Sequence, residues 1–250
     1  MVNIKFDKTE KMHLILGILI LSFIFGFDDK RPSFVLSLWL SNLFFVFVFV
    51  VISVLFRELV QKYVADKLLV IKEYRLWGIN RLNFRRRPSF PMKIGWFKIE
   101  RFYIGAFIGL LVAFVSKGKF FFAAIGGSKL SPSIELRSYK ELKELQRTEV
   151  ILISVIGPLA SLFLAIVFKL LNWDQGVLIS SMISIYSMLP FPNLDGGNIL
   201  FKSPFTYLFF LVFIILSLLL LGSLNFFFAL ILAVVVAFLT TITYYYFSQK

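Results

Sequence analysis

Residues 34–56 contain no Asp, Glu, Lys or Arg. A helix crosses the roughly 30 Å hydrocarbon core of a bilayer in about 20 apolar residues, so this run is long enough to span one. The run is not isolated. The whole chain of 250 residues is 59% hydrophobic and only 16% charged, and a water-soluble domain of that length has no interior large enough for so much apolar surface. The chain therefore reads as a polytopic membrane protein, with its 32 phenylalanines suited to a lipid-facing surface. The net charge of +13 belongs in the same frame, because Lys and Arg accumulate in cytoplasmic loops beside anionic headgroups. Membrane lipids are the expected partners of this charge, and nucleic acid is not. The absence of cysteine excludes disulfides, thiolate metal sites and thiol nucleophiles, and His13 is the only histidine.

Along the chain, Asp7-Lys8-Thr9-Glu10 has the form of a capping box ahead of an apolar segment over residues 13–27. Asp28-Asp29-Lys30-Arg31 follows in place of a small-residue cleavage site, so the segment reads as a retained signal anchor. A long second helix occupies residues 34–56 and continues amphipathically to about residue 70. Residues 72–101 are basic and aromatic, with short strand character at Ile94-Gly95-Trp96-Phe97-Lys98-Ile99. Residues 104–115 and 120–125 are two apolar pieces of one broken or re-entrant element, and residues 135–149 suit a surface helix. Apolar segments at 150–171, 177–189, 205–221 and 224–247 complete the pattern. The expected organisation is one membrane domain over residues 1–250. It divides into an anchor (1–32), a long helix (33–71), a basic loop with the broken element (72–149), core helices (150–203) and a C-terminal helical hairpin (204–250). With the N-terminus cytoplasmic, the basic regions fall on one side of a cell membrane.

Against this apolar background two polar clusters stand out. One is Phe56-Arg57-Glu58-Leu59-Val60-Gln61-Lys62 at the end of the long run; Arg57 and Gln61 are one turn apart and share a face. The other is Leu189-Pro190-Phe191-Pro192-Asn193-Leu194-Asp195-Gly196-Gly197, which sets a carboxylate between a proline turn and a glycine pair. A charge at such a place in a membrane protein needs a partner, and the two clusters are candidates for each other. Gly157-Pro158-Leu159-Ala160-Ser161, at the expected start of a third helix, supplies small packing residues.

Together these segments resemble the site-2 protease family of intramembrane zinc metalloproteases. In that family an H-E-x-x-H helix pairs with an L-D-G turn on a later helix. Arg57-Glu58-Leu59-Val60-Gln61 occupies the first register, and the proline-spaced turn ending in Leu194-Asp195-Gly196 occupies the second. Gly157-Pro158-Leu159-Ala160 resembles the family's G-P helix start. Tyr74-Arg75-Leu76-Trp77 and Phe122-Ala123-Ala124 with Gly126 resemble segments of archaeal-type members. The resemblance covers about residues 44–201. It implies an all-α membrane bundle of about six or seven hydrophobic segments, with a small cytoplasmic basic loop that contains short strands.

The departures fall on the chemistry. The family's two ligand histidines are matched by Arg57 and Gln61, and two of its asparagines by Ser161 and Ser187. Glu58 stands at the general-base position as a vestige, and Asp195 is the one retained ligand position. A catalytic zinc takes three protein ligands and a water, and a guanidinium offers no lone pair. The expectation is therefore no metal and no cofactor, with Arg57 as a fixed cation facing Asp195 through a bidentate pair. The implied function is a catalytically inactive site-2-protease-like protein that binds or shields transmembrane helices in a cleft between the Arg57 helix and the Asp195 turn. Two other readings stand beside it: an active zinc metalloprotease with substituted ligands, and a small-solute membrane transporter. Against the latter, no repeated halves are visible.

Overall fold

The computed structural model describes residues 6–29, 31, 33–79, 92–94, 97–99, 101–133, 145–221 and 226–248. The basic run at 80–91 and most of the charged stretch expected as a surface helix lie outside the described residues. Among those described, eight helices and four strands occur. They are α1 (Lys8–Gly26), α2 (Leu36–Lys67), β1 (Val70–Leu76), β2 (Met92–Ile94), β3 (Phe97–Ile99), α3 (Ile104–Val115), β4 (Gly126–Pro132), α4 (Arg147–Leu170), α5 (Asp174–Ser187), α6 (Asp195–Lys202), α7 (Pro204–Leu220) and α8 (Phe226–Ser248). Four helices are long and apolar enough to cross a membrane: α1, α2, α4 and residues Phe228–Tyr246 of α8. The protein is a mostly helical, multi-pass membrane protein. Helices α3 and α7 are apolar but shorter.

Helix α1 starts where Asp7 caps it, its carboxylate accepting from Thr9 N at 3.4 Å. The second half of the expected capping box does not form. Glu10 turns away from the cap and is buried in the protein, because Lys62 and a strand amide offer it stronger partners. A capping glutamate does appear at α4, where Gln146 N donates to Glu149 Oε2 at 3.0 Å. Helix α2 runs unbroken for 32 residues, about 48 Å at 1.5 Å per residue, longer than the hydrocarbon core is thick. It stops at Lys67 through Leu69, whose φ of 58° lies in the left-handed region. The chain then leaves in extended form, so residue 70 opens a strand instead of ending the helix.

The break expected between the apolar pieces 104–115 and 120–125 is present: the first is helix α3, and the second is non-helical, with a turn at 124–125 that leads into β4. Strand β4 pairs antiparallel with β1 from Val70↔Pro132 to Leu76↔Gly126. The expected basic loop is thus closed at both ends by a two-stranded sheet, with the small β2–β3 hairpin and α3 between. Gly157-Pro158 lies in the middle of α4 and does not start it. The reason is packing. On α4, Ser154, Gly157, Ser161 and Ala165 recur at helical spacing and are all buried, forming a small-residue face against α2, α5 and α6. Lipid tails are as apolar as leucine, so such close backbone approach, and not hydrophobic burial, holds helices together in a bilayer. Helix α4 is the centre of the bundle, while α8 packs mainly on α7 and leaves most of its surface to lipid.

Tyr74 locks β1 to its neighbours. Its ring lies between Gly17 of α1 and Gly126 of β4, and a Cβ at either glycine would meet the ring or its hydroxyl. Tyr74 is itself buried, with no room to swing aside. Gly126→Ala is therefore expected to lower stability by about 1–3 kcal/mol, the usual range for overpacking a filled core. Thermal unfolding of the detergent-solubilised protein measures it, and an unchanged midpoint would contradict the lock.

Candidate functional site

Four polar residues fall within two turns of α2: Arg57, Glu58, Gln61 and Lys62. Helical geometry sends them in two directions. Arg57 and Gln61 face α6. The Arg57 Nη2 group donates to Asp195 Oδ2, and Gln61 Nε2 donates to the same oxygen at 3.0 Å and to Ile153 O of α4 at 3.2 Å. Glu58 and Lys62 face the other way. Lys72 of β1 pairs through Nζ with Glu58 Oε2, and Lys62 Nζ reaches Glu10 Oε2 of α1 at 2.7 Å. One stretch of helix thus holds α6, β1 and α1 by three buried ion pairs.

The turn before α6 brings Asp195 to this place. Asn193 has a φ of 69°, and Leu194 is extended, so the helix starts abruptly at Asp195. A Cβ at Gly196 would strike the Met188 carbonyl, and one at Gly197 the Phe191 carbonyl, so the glycine pair lets α6 fold back on the proline turn. Asn193 O also accepts from Ser128 N at 2.9 Å, tying the turn to β4. On the opposite side Gly157 admits the pair. A Cβ there would overlap the Gln61 amide and stand 2.8 Å from Asp195 Oδ2. The Asp195 carboxylate sits in the first turn of α6, where the helix dipole favours a negative charge.

The expected bidentate fork is not what forms. One guanidinium nitrogen and the Gln61 amide share a single carboxylate oxygen. Arg57 Nε, Gln61 Oε1 and Asp195 Oδ1 are buried and lack hydrogen-bond partners among the described residues. Glu58 is not part of the Asp195 pair; it belongs to Lys72. Ser161 and Ser187 are satisfied by their own helical surroundings, Ser161 Oγ donating to Gly157 O at 3.3 Å and Ser187 Oγ to Ser184 O at 2.7 Å. Nor is the expected cleft open. The space beside Arg57 is a cavity of about 20 Å³, bounded among others by Glu58, Tyr74 and Ser187, which is room for about one water and no side chain.

Sequence reasoning missed Lys72, placing it in a loop on lipid headgroups. It is 3% exposed. The signal was present in Val70-Ile71-Lys72-Glu73-Tyr74-Arg75-Leu76, where Val70, Lys72, Tyr74 and Leu76 alternate onto one face. Burial pushes the Lys72 ammonium below its ordinary value, and the Glu58 carboxylate beside it opposes that shift. Burial pushes the Tyr74 phenol up, and the Glu58 charge adds to this. Among the described residues no group of three His, Asp or Glu side chains has a metal-holding arrangement. No family model, curated protein or solved structure matches the chain.

Removing one partner of a buried ion pair strands the other charge, at a cost of about 3–5 kcal/mol, whereas replacing both by apolar residues is often neutral. Lys72→Met alone is expected to destabilise strongly, and Glu58→Leu combined with Lys72→Met to recover most of the loss. Asp195→Asn is expected to lower the thermal midpoint because Arg57 then lacks its counter-charge, with Arg57→Ala equally damaging. Thermal unfolding of the single and double variants in one detergent decides both points. Single variants as stable as the parent would show that these charges are solvated.

Proposed function

We propose that this chain is a catalytically inactive, site-2-protease-like membrane protein that binds or shields transmembrane helices. The observation that carries the reading is the Arg57–Asp195 pair. At the positions where the family places two histidines and an aspartate, this chain sets a guanidinium, an amide and a carboxylate in direct contact. The donor set does not fit the family's zinc. Asp195 Oδ2 is already shared by Arg57 and Gln61, Glu58 is engaged by Lys72, and a permanent cation stands where a dication would have to bind. Glu58, at the general-base position, has its carboxylate neutralised by an ammonium and no acidified water to act on.

Such a chain keeps a helix-binding surface without the chemistry. Because the ion pairs close the interior, the partner helix packs on the membrane face and not in a cleft. The stacked Phe56–Phe163 pair, with ring centroids 6.1 Å apart, and exposed Leu59 lie on the face of α2 turned away from its four polar side chains. The occupant is an apolar transmembrane helix, and the consequence is protection from, or competition with, an active intramembrane protease.

A photo-crosslinking amino acid at Leu59 tests the binding half. In cells it is expected to join the chain to other transmembrane proteins, whereas the same probe at Leu219 on α7, also exposed, is not. Equal yield from both positions would mean diffusive encounter only. The inactive half is tested by incubating purified protein with zinc and a fluorogenic transmembrane substrate. No turnover is expected, and cleavage abolished by Glu58→Gln would overturn the reading.

A further inference from the structure

Strand β1 has two edges. Its odd-numbered residues face β4, as the Trp77 N to Ile125 O bond of 2.7 Å at the end of the ladder shows. The N–H groups of Tyr74 and Leu76 therefore point to the opposite edge. No third strand lies there among the described residues. Two side chains of α1 take the strand's place: Tyr74 N donates to Glu10 Oε1 at 2.8 Å, and Leu76 N donates to His13 Nδ1 at 3.2 Å. Glu10 and His13 are three apart on one helix face, a rise of about 4.5 Å, and the two amides are two residues apart on the strand, about 6.6 Å. The first turns of α1 act as a side-chain ladder along the β1 edge.

We propose that His13 is a proton-sensitive latch on β1. A backbone N–H can only donate, so Nδ1 accepts and carries no proton while the bond stands. An imidazolium has a proton on both nitrogens and cannot accept from Leu76. The neutral ring holds the strand, and the cation lets its C-terminal end go. The latch therefore closes toward high pH and opens as pH falls through the range in which histidine titrates. Among the described residues, the titratable groups near the ring include Glu10, one turn earlier on α1 and paired with Lys62 of α2; Tyr74 on β1, whose hydroxyl meets Gly17 one turn later on α1; and Tyr103 ahead of α3, whose hydroxyl lies 3.5 Å from Nε2 and whose ring meets the imidazole edge-on. Glu10 shares the helix face and offers the imidazolium a negative neighbour once it forms.

The latch leads to the Asp195 turn. Leu76 is followed by Trp77, which stacks on Phe191 of the proline turn with centroids 5.0 Å apart. Phe191 O is the atom against which Gly197 closes α6. Release of Leu76 therefore loosens the support of the turn that presents Asp195 to Arg57, independently of what the membrane face binds.

Because the chain has one histidine, its ring can be followed alone. The experiment is amide hydrogen exchange at Leu76 and Tyr74 of the full chain in nanodiscs, corrected for intrinsic exchange, alongside the His13 ring resonances between about pH 8 and pH 5. As the ring titrates, the Leu76 amide is expected to lose about tenfold in protection, the scale of one buried hydrogen bond left unmade. Tyr74, held by Glu10, keeps its protection. His13→Asn supplies a neutral acceptor without a titration, and its Leu76 protection stays flat with pH. Three results would each overturn the proposal: a ring that titrates while Leu76 stays protected, a ring that never titrates in this range, or loss of both amides together. If His13→Asn does not fold, the parent measurement alone decides.

Discussion

A guanidinium and a carboxylate removed from water each cost several kcal/mol, and only close mutual contact offsets that cost. The side-chain link between α2 and α6 rests on this condition. Asp195 is 1% exposed, so its charge could not stay where it is without the Arg57 guanidinium, and the fully buried Gln61 adds a second donor to the same oxygen. The same holds on the other flank of α2, where Glu58 and Lys62 are buried only because Lys72 and Glu10 meet them. Charge pairing here is a specificity device more than a source of stability. An apolar face on α2 would pack against lipid or any neighbour, but this one accepts only an acid at α6, a base on β1 and an acid on α1.

Small residues make the pairing possible. Gly157 brings α4 within contact of Gln61 and Asp195, Gly196 and Gly197 let α6 fold back on its turn, and Gly126 makes room for Tyr74. In a bilayer these close approaches replace the hydrophobic drive that a soluble core would use. The two-stranded sheet then serves as a rigid frame, touching α1 through Glu10 and His13 and the Asp195 turn through Asn193 and Trp77. Sheet, turn and α2 form one polar assembly inside an otherwise apolar bundle.

The uncharged run at 34–56 and the later apolar segments required membrane-spanning helices, because no folded interior could hold them otherwise. The isolated polar residues Arg57, Gln61 and Asp195 were legible as one site for the same reason: a charge among apolar residues has few permissible partners. What the sequence left open was direction. A helix shows which residues share a face but not which neighbour that face meets. Only the fold decided that Glu58 turns to Lys72, that Glu10 leaves its own cap for Lys62, and that residues 70–76 and 126–132 pair across an insertion of nearly fifty residues. Such contacts depend on long-range closure and on which glycines let two backbones approach, and no local periodicity records either.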